Sequence, residues 1–190
     1  MPGNKPDYEV VVHKDIVFKI VVVGDPEVGK TSLINKFTKE KFEQNYIPTV
    51  GVNIAKHIVQ FKGSDGKDIP VSLMFWDIAG QKQFYMLHKV YYQGANGVIF
   101  TFDVTRAQTF QNVKEWRKSC IKYGLGGVPA ILVGNKTDLK KDRVIIPPMA
   151  ENLAKQLDVE YFQTSALTGE NVDLIFQKIT ELMVEARGLA

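Results

Sequence analysis

The order of apolar and polar positions predicts a chain of alternating strands and helices. Ile16–Val23 is an apolar run broken by one Lys, which is typical of a strand buried on both faces of a parallel sheet. Gly51–Phe61 and Ile69–Trp76 are rich in β-branched and aromatic residues and flank a polar, glycine-containing segment, which predicts a hairpin. Three further apolar runs predict strands over Gly97–Val104, Val128–Val133 and Val159–Phe162.

Helical periodicity occupies the segments between these strands. A helix is expected to follow the first strand and to continue to about Phe42. Thr105-Arg106-Ala107-Gln108 resembles a capping box and predicts the start of a helix. The residues expected to face inward from that helix are Phe110, Val113, Trp116, Cys120 and Ile121. Two more helices are predicted over Met149–Leu157 and Asn171–Glu185, the second with apolar residues at i, i+3, i+4 and i+7 spacing.

This alternation, with one hairpin, predicts an α/β domain whose six-stranded, mostly parallel sheet has helices on both faces. We assign residues 1–15 to an N-terminal extension and residues 16–187 to this single domain. Ligands of such sheets bind beyond the carboxyl ends of the strands. We expect every candidate motif described below to fall at such an end.

The bulk properties exclude several other classes. The chain has 190 residues, 45% hydrophobic and 24% charged, with a net charge of +3 that is too small to predict binding to nucleic acid or an anionic membrane. The single Cys120 fits a reducing compartment. No apolar run approaches the ~18 residues of a membrane span, and neither end has a residue suited to a lipid anchor. We therefore expect an unanchored, cytoplasmic protein that is a monomer.

Residues Gly24–Thr31, Gly-Asp-Pro-Glu-Val-Gly-Lys-Thr, match the pattern G-x-x-x-x-G-K-[ST] between a predicted strand and a predicted helix. That context predicts a P-loop, whose backbone N–H groups and helix N-terminus attract phosphate. Lys30 is expected to reach the β- and γ-phosphates, and the Thr31 hydroxyl is expected to bind Mg²⁺. The other residues expected to line the nucleotide here are Asp25, Pro26, Glu27, Val28, Gly29 and Ser32.

Asp77-Ile78-Ala79-Gly80-Gln81 follows the strand that ends near Trp76. The Asp77 carboxylate is expected to hold Mg²⁺ through a water molecule, and the Gly80 N–H to meet the γ-phosphate. Gln81 can orient an attacking water. Thr49, in the loop Tyr46–Gly51, would be an ordinary turn threonine in isolation, but beside a P-loop a second Mg²⁺ hydroxyl is the favoured role.

A third motif, Asn135-Lys136-Thr137-Asp138, follows another strand and predicts recognition of guanine. One Asp138 carboxylate can accept hydrogen bonds from both guanine donors, a pair that adenine lacks. The Lys136 stem can cover the base, and Asn135 can tie this segment to its neighbours. Ser165-Ala166-Leu167 follows the last strand and can present the Ala166 N–H to the guanine O6.

In this order and spacing, the motifs resemble those of the Ras superfamily of small GTPases over about residues 16–186. Tyr46–Gly51, Trp76–Gln81 and Tyr91–Ala95 are similar to Rab-type segments. The resemblance implies a P-loop NTPase fold (a G domain) and a Mg²⁺-dependent GTP/GDP switch. It implies that Phe42 stacks on the guanine and Tyr46 closes over the phosphates.

The same resemblance implies that exchange factors, GTPase-activating proteins and effectors bind the switch regions, near Phe42–Val50 and Ala79–Tyr92, together with a surface trio. The trio is Ile54, Trp76 and Tyr91, with Ile54 in place of an aromatic residue.

The chain departs from the Rab pattern at several positions. Pro26 and Glu27 replace small residues in the phosphate loop, Lys82 replaces a Glu after Gln81, and Leu167 replaces a Lys. Pro26 and Glu27 leave open a GTP-loaded scaffold that does not hydrolyse. A P-loop ATPase or nucleotide kinase is the other alternative, and Asp138 argues against it.

Overall fold

The computed structural model describes residues 16–38, 52–62, 68–79 and 88–189. The strands are β1 (Ile16–Val23), β2 (Val52–Lys62), β3 (Asp68–Ile78), β4 (Gly97–Asp103), β5 (Ala130–Asn135) and β6 (Glu160–Gln163). The helices are α1 (Lys30–Phe37), α2 (His88–Tyr92), α3 (Ala107–Gln111), α4 (Val113–Lys122), α5 (Pro147–Leu157) and α6 (Val172–Ala186). The extension predicted over residues 1–15 lies outside the described residues.

The six strands form one sheet in the order β2-β3-β1-β4-β5-β6. β1 pairs in parallel with β3 and β4, β4 with β5, and β5 with β6. Among the strand pairs that the structure describes, only β2–β3 is antiparallel. The predicted fold class, a mostly parallel six-stranded α/β sheet with one hairpin, is confirmed.

The sheet is covered on both faces, which explains the continuous apolar runs. In β1, Phe18, Ile20 and Val22 point into a core shared with α1 and α6. The alternate residues Val21 and Val23 point into a second core, shared with α4 and α5. Because successive side chains of a strand alternate between faces, a strand between two helical layers must be apolar at nearly every position.

One predicted helix start is wrong, and one predicted helix end is not tested. α1 spans Lys30–Phe37, and the Thr38 N–H and hydroxyl both donate to the Ile34 carbonyl; the predicted continuation to about Phe42 lies outside the described residues. The predicted capping box does not form: the Thr105 hydroxyl donates to Asp103 at 2.7 Å, and Arg106 holds the N-cap position. Local hydrogen bonding to a nearby carboxylate therefore replaces the cap.

The helix predicted after Arg106 is two helices, α3 and α4, with a break at Asn112. Ile121, expected to face inward, is 52% exposed, whereas Val113, Trp116 and Cys120 are buried. β5 begins at Ala130 rather than Val128 and ends at Asn135. The other described boundaries of the predicted strands and helices lie within two residues of the predictions.

Among the helices that the structure describes, none is long and apolar enough to cross a membrane.

Candidate nucleotide site

The loop between β1 and α1 is fixed by two glycines with positive φ. A Cβ on Gly24 (φ 148°) would lie 2.1 Å from the Thr101 carbonyl oxygen, and one on Gly29 (φ 98°) would lie 2.2 Å from Asn135 Nδ2. A side chain at Gly24 would displace the backbone of β4, and one at Gly29 would displace the side chain of Asn135. The spacing of the two glycines thus reflects close packing of the loop against neighbouring strands.

Lys30, the first residue of α1, is buried beneath this loop with only 6% of its surface exposed. Its Nζ donates to the carbonyl oxygens of Gly24 at 2.8 Å and Asp25 at 2.9 Å. Burial lowers the pKa of Lys30 to about 8, against the opposing effects of Asp77 and Asp25, and Arg106 lowers it further. A phosphate at the loop would favour the charged ammonium, because opposite charges raise the pKa of a lysine.

The metal ligands proposed on α1 and β3 lie in contact. The Thr31 hydroxyl donates to Asp77 Oδ2. Asp77 is 2% exposed, and the β1–β3 register pairs it with Val22, just before the loop begins. A hydroxyl and a carboxylate oxygen are hard ligands of the kind Mg²⁺ takes alongside phosphate and water. These residues therefore fit a magnesium ion bound together with a nucleotide.

The Asp25 side chain turns away from the loop towards α4. Asn112 Nδ2 donates to Asp25 Oδ2 at 2.7 Å, and Trp116 Nε1 donates to Oδ1 at 2.8 Å. The carboxylate therefore anchors the loop, so the predicted contact of Asp25 with nucleotide would use its backbone. Glu27 is exposed and adopts a left-handed backbone with φ 65°.

Asn135 joins the guanine motif to the phosphate loop. Its Nδ2 donates to the Val28 carbonyl at 2.9 Å. Its Oδ1 accepts from the Thr164 hydroxyl and from the Ala166 N–H, both at 3.1 Å. The predicted tie between these segments is present. A bond from the Ala166 N–H to guanine O6 would have to share or replace the bond to Asn135.

The remaining base-recognition residues surround the same point. Ser165, fully buried, donates its hydroxyl to Asp138 Oδ1 at 2.6 Å and so orients the carboxylate. Lys136 has a positive φ of 70°, and its Nζ lies 2.7 Å from Asp103 Oδ2. Leu167 is 56% exposed, which is consistent with an apolar edge where the Rab pattern has a lysine.

The proposed partner-binding trio is brought together on the sheet. Ile54 is paired with Trp76 in the β2–β3 register, and it is 46% exposed. The rings of Trp76 and Tyr91 lie 6.3 Å apart. Lys19 Nζ lies 3.6 Å from the Trp76 ring centroid, a cation–π contact that fixes the indole.

Five of the predicted site residues lie outside the described residues, so their roles stay predictions: Phe42, Tyr46, Thr49, Gly80 and Gln81.

Sequence reasoning missed four residues that support the site: Asp103, Arg106, Asn112 and Trp116. Arg106 Nη2 donates to the Pro26 carbonyl at 2.8 Å, and Arg106 Nε to Asp103 Oδ2 at 3.1 Å. The sequence did contain a signal for Asp103. It is a carboxylate at the carboxyl end of a buried strand, as Asp77 is one residue before the end of β3. Nothing local marks the other three as neighbours of the phosphate loop.

Comparison with known proteins agrees with this site. The chain matches the Ras family over residues 19–185. It is 34% identical to the Ras-related protein Rab-13 of Mesocricetus auratus, over 92% of this chain and 84% of that protein. It is 37% identical to RABD2b of Arabidopsis thaliana, over 87% and 80% of the two chains. It is also 34% identical to the GTP-binding protein ypt1 of Schizosaccharomyces pombe, over 92% and 83%.

The chain therefore belongs to the Ras family of small GTPases, which bind GTP and hydrolyse it, and it is of the Rab type.

Proposed function

We propose that this protein is a Mg²⁺-dependent GTP/GDP switch that hydrolyses GTP slowly and binds partners according to the bound nucleotide. One observation carries the proposal. The bond from Asn135 to the Val28 carbonyl ties the guanine motif to the phosphate loop at one edge of the sheet. A single nucleotide can then contact both segments at once.

The site residues that the structure describes would each contribute to binding that nucleotide. Lys30 supplies a buried positive charge to the phosphates, and Thr31 and Asp77 would hold Mg²⁺, which neutralises phosphate charge when bound. Asp138, oriented by Ser165, selects guanine because it accepts from the two donors of that base. An adenine offers no such pair of donors, so the carboxylate would lose hydrogen bonds to water on binding and gain none from the base, which is costly for a charged group.

Turnover and switching depend on residues outside the described ranges. Gln81 would orient the attacking water. Thr49 would bind Mg²⁺, and the Gly80 N–H would donate to the γ-phosphate, only while GTP is bound. Phe42 would stack on the base, and Tyr46 would cover the phosphates. Loss of γ-phosphate contacts would release the loops that carry Thr49 and Gly80, which is a common route from hydrolysis to a change of shape.

We further propose that the protein acts as a monomer in the cytoplasm. The described structure buries the single Cys120, and burial raises the pKa of its thiol to about 12, so the cysteine is unreactive. The trio supports binding of regulators and effectors, because Ile54 is exposed and lies beside Trp76, whose ring is 6.3 Å from that of the half-buried Tyr91.

A GTP-loaded scaffold that does not hydrolyse is the second candidate. It is favoured by Pro26, which has no N–H to offer the phosphates, and by Glu27, which adds negative charge to the loop. Retained hydrolysis is the first choice, because a proline ring can fit a loop whose φ it already prefers.

The test begins with the nucleotide that co-purifies with the protein, identified by chromatography after denaturation. Single-turnover phosphate release from GTP is then measured with Mg²⁺ and with EDTA for wild type, Gln81→Leu and Pro26→Gly. Bound guanine nucleotide and Mg²⁺-dependent release that Gln81→Leu slows would support the proposal. Release from wild type no faster than from Gln81→Leu, with hydrolysis restored by Pro26→Gly, would establish the scaffold instead.

A further inference from the structure

Asp103, the last residue of β4, is a buried carboxylate shared by two cations from different parts of the site. Its Oδ2 lies 2.7 Å from Lys136 Nζ and 3.1 Å from Arg106 Nε. Its Oδ1 accepts from the Thr105 N–H at 2.9 Å and the Thr105 hydroxyl at 2.7 Å. Burial alone would raise the pKa of Asp103, but the bonds from Lys136 and Thr105 outweigh it and lower the pKa. Asp103 therefore stays charged and holds Arg106 in place.

Arg106 in turn contacts the two residues at which the phosphate loop departs from the Rab pattern. Its Nη2 donates to the Pro26 carbonyl at 2.8 Å, and its Nη1 lies 3.6 Å from Glu27 Oε2. Glu27 brings a negative charge to a loop that must hold phosphates, so it would weaken binding unless a cation offsets it. The charge of Arg106 also reaches Lys30, where it adds to the main effect of burial in lowering the pKa.

We propose that Arg106 is a positioning residue of the phosphate loop: anchored by Asp103, it fixes the Pro26 carbonyl, offsets the charge of Glu27 and thereby slows nucleotide release. The inference rests on the proposed function and deepens it. It also assigns Asp103 a link between the two ends of the nucleotide site, since Lys136 on the base side and Arg106 on the phosphate side bind the same oxygen.

Two separable effects set the size of the change. The bonds of Arg106 to Pro26 and to the buried Asp103 are charge-assisted, so losing them should speed nucleotide release by about tenfold or more. The ion pair with Glu27 is weaker, because the two side chains are 38% and 59% exposed. It should account for about a two- to fivefold part of the change.

The experiment measures the release of fluorescent GDP from preloaded protein in excess unlabelled GDP. The variants are Arg106→Gln, Glu27→Gln, the double variant and Arg106→Lys. The matched control is Arg187→Gln, because Arg187 packs over Phe18 near the opposite end of β1. Arg106→Lys keeps a charge beside Asp103, so it provides a folded variant if Arg106→Gln does not fold.

We expect release about 20- to 50-fold faster in Arg106→Gln, the product of the two effects, and an intermediate rate in Arg106→Lys, which cannot bridge Asp103 and Pro26 at once. When Glu27 is already replaced by Gln, the increase in GDP release rate caused by Arg106→Gln should be about two- to fivefold smaller. Added salt should reduce the difference between the increases measured with and without Glu27. Arg187→Gln should match wild type.

An unchanged release rate in both Arg106 variants would overturn the inference. So would an equal increase with and without Glu27, because Arg106 would then act only as a structural tie. If the wild-type protein retained no GDP, the proposed function itself would be contradicted. That outcome would be seen before any variant is made, so it is distinct from a failure of the inference about Arg106.

Discussion

Replacing Asp138 by Asn tests base recognition at the one carboxylate that can select guanine. The carboxylate would accept the two guanine donors while Ser165 holds its Oδ1 at 2.6 Å. In the variant, one accepting oxygen becomes an NH₂ group that faces donors. Guanine affinity should fall, and xanthine, with a carbonyl in place of the exocyclic amine, should gain.

The magnitude follows from the bonds involved. Each hydrogen bond to a charged group contributes about 1.5–3 kcal/mol, and both guanine bonds are weakened or lost. A total of about 4 kcal/mol corresponds to roughly a thousandfold loss of GDP affinity. The fold itself should lose little stability, because the buried Ser165 hydroxyl can rotate and keep a hydrogen bond to the asparagine.

The assay is a titration of fluorescent GDP and XDP at fixed Mg²⁺, with urea unfolding of the same proteins. Asp142→Asn is the matched control, since Asp142 is an exposed carboxylate in the loop that follows Asp138. Unchanged GDP affinity in Asp138→Asn, or a loss of XDP and GDP affinity in parallel, would refute the reasoning. The control should bind GDP like wild type.

Three other predictions concern the metal, turnover and pH. Thr31→Asn should weaken binding of Mg²⁺-GTP more than binding of GDP, and Thr49→Ala should leave GDP binding nearly intact. Both affinities are measured by calorimetry. If a variant weakened binding of the two nucleotides equally, the replaced residue would have a structural role instead. Gln81→Leu should slow phosphate release without weakening GTP binding, because the side chain acts only in the transition state, and a matching loss of affinity would contradict this. Burial lowers the pKa of His88 to about 4 from its usual 6.5, so the folded state resists protonation. Its contribution to stability is complete above pH 6.5 and is lost as the pH falls towards 4. Urea unfolding between pH 7 and 4 should show this slope in wild type and a reduced slope in His88→Gln.

The amino-acid sequence was enough to predict the fold class and the position of each described motif. β1 illustrates why: its apolar run requires two covering layers, and the phosphate loop then falls at a strand end. Such features depend on residues close together in the chain. Asp77, Asn135 and Ser165 were found by the same rule, because carboxyl ends of parallel strands meet at one edge of the sheet.

Local sequence failed where a distant or competing partner decided the outcome. The predicted capping box was wrong because the Thr105 hydroxyl found the Asp103 carboxylate instead of a helix N–H. A hydrogen bond from one threonine to a nearby carboxylate thus took the place of the predicted cap.

Only the tertiary structure determined how the site is held together. Val28 and Asn135 are 107 positions apart, and Pro26 and Arg106 are 80 apart, yet both pairs share a hydrogen bond. These contacts depend on the strand order, which places β4 beside β1 and β5 beside β4, and no periodicity of the chain encodes which side chains then meet. The sequence thus determined which chemical groups reach the edge of the sheet. The sheet order determined that Asp103 and Arg106 would brace the phosphate loop there.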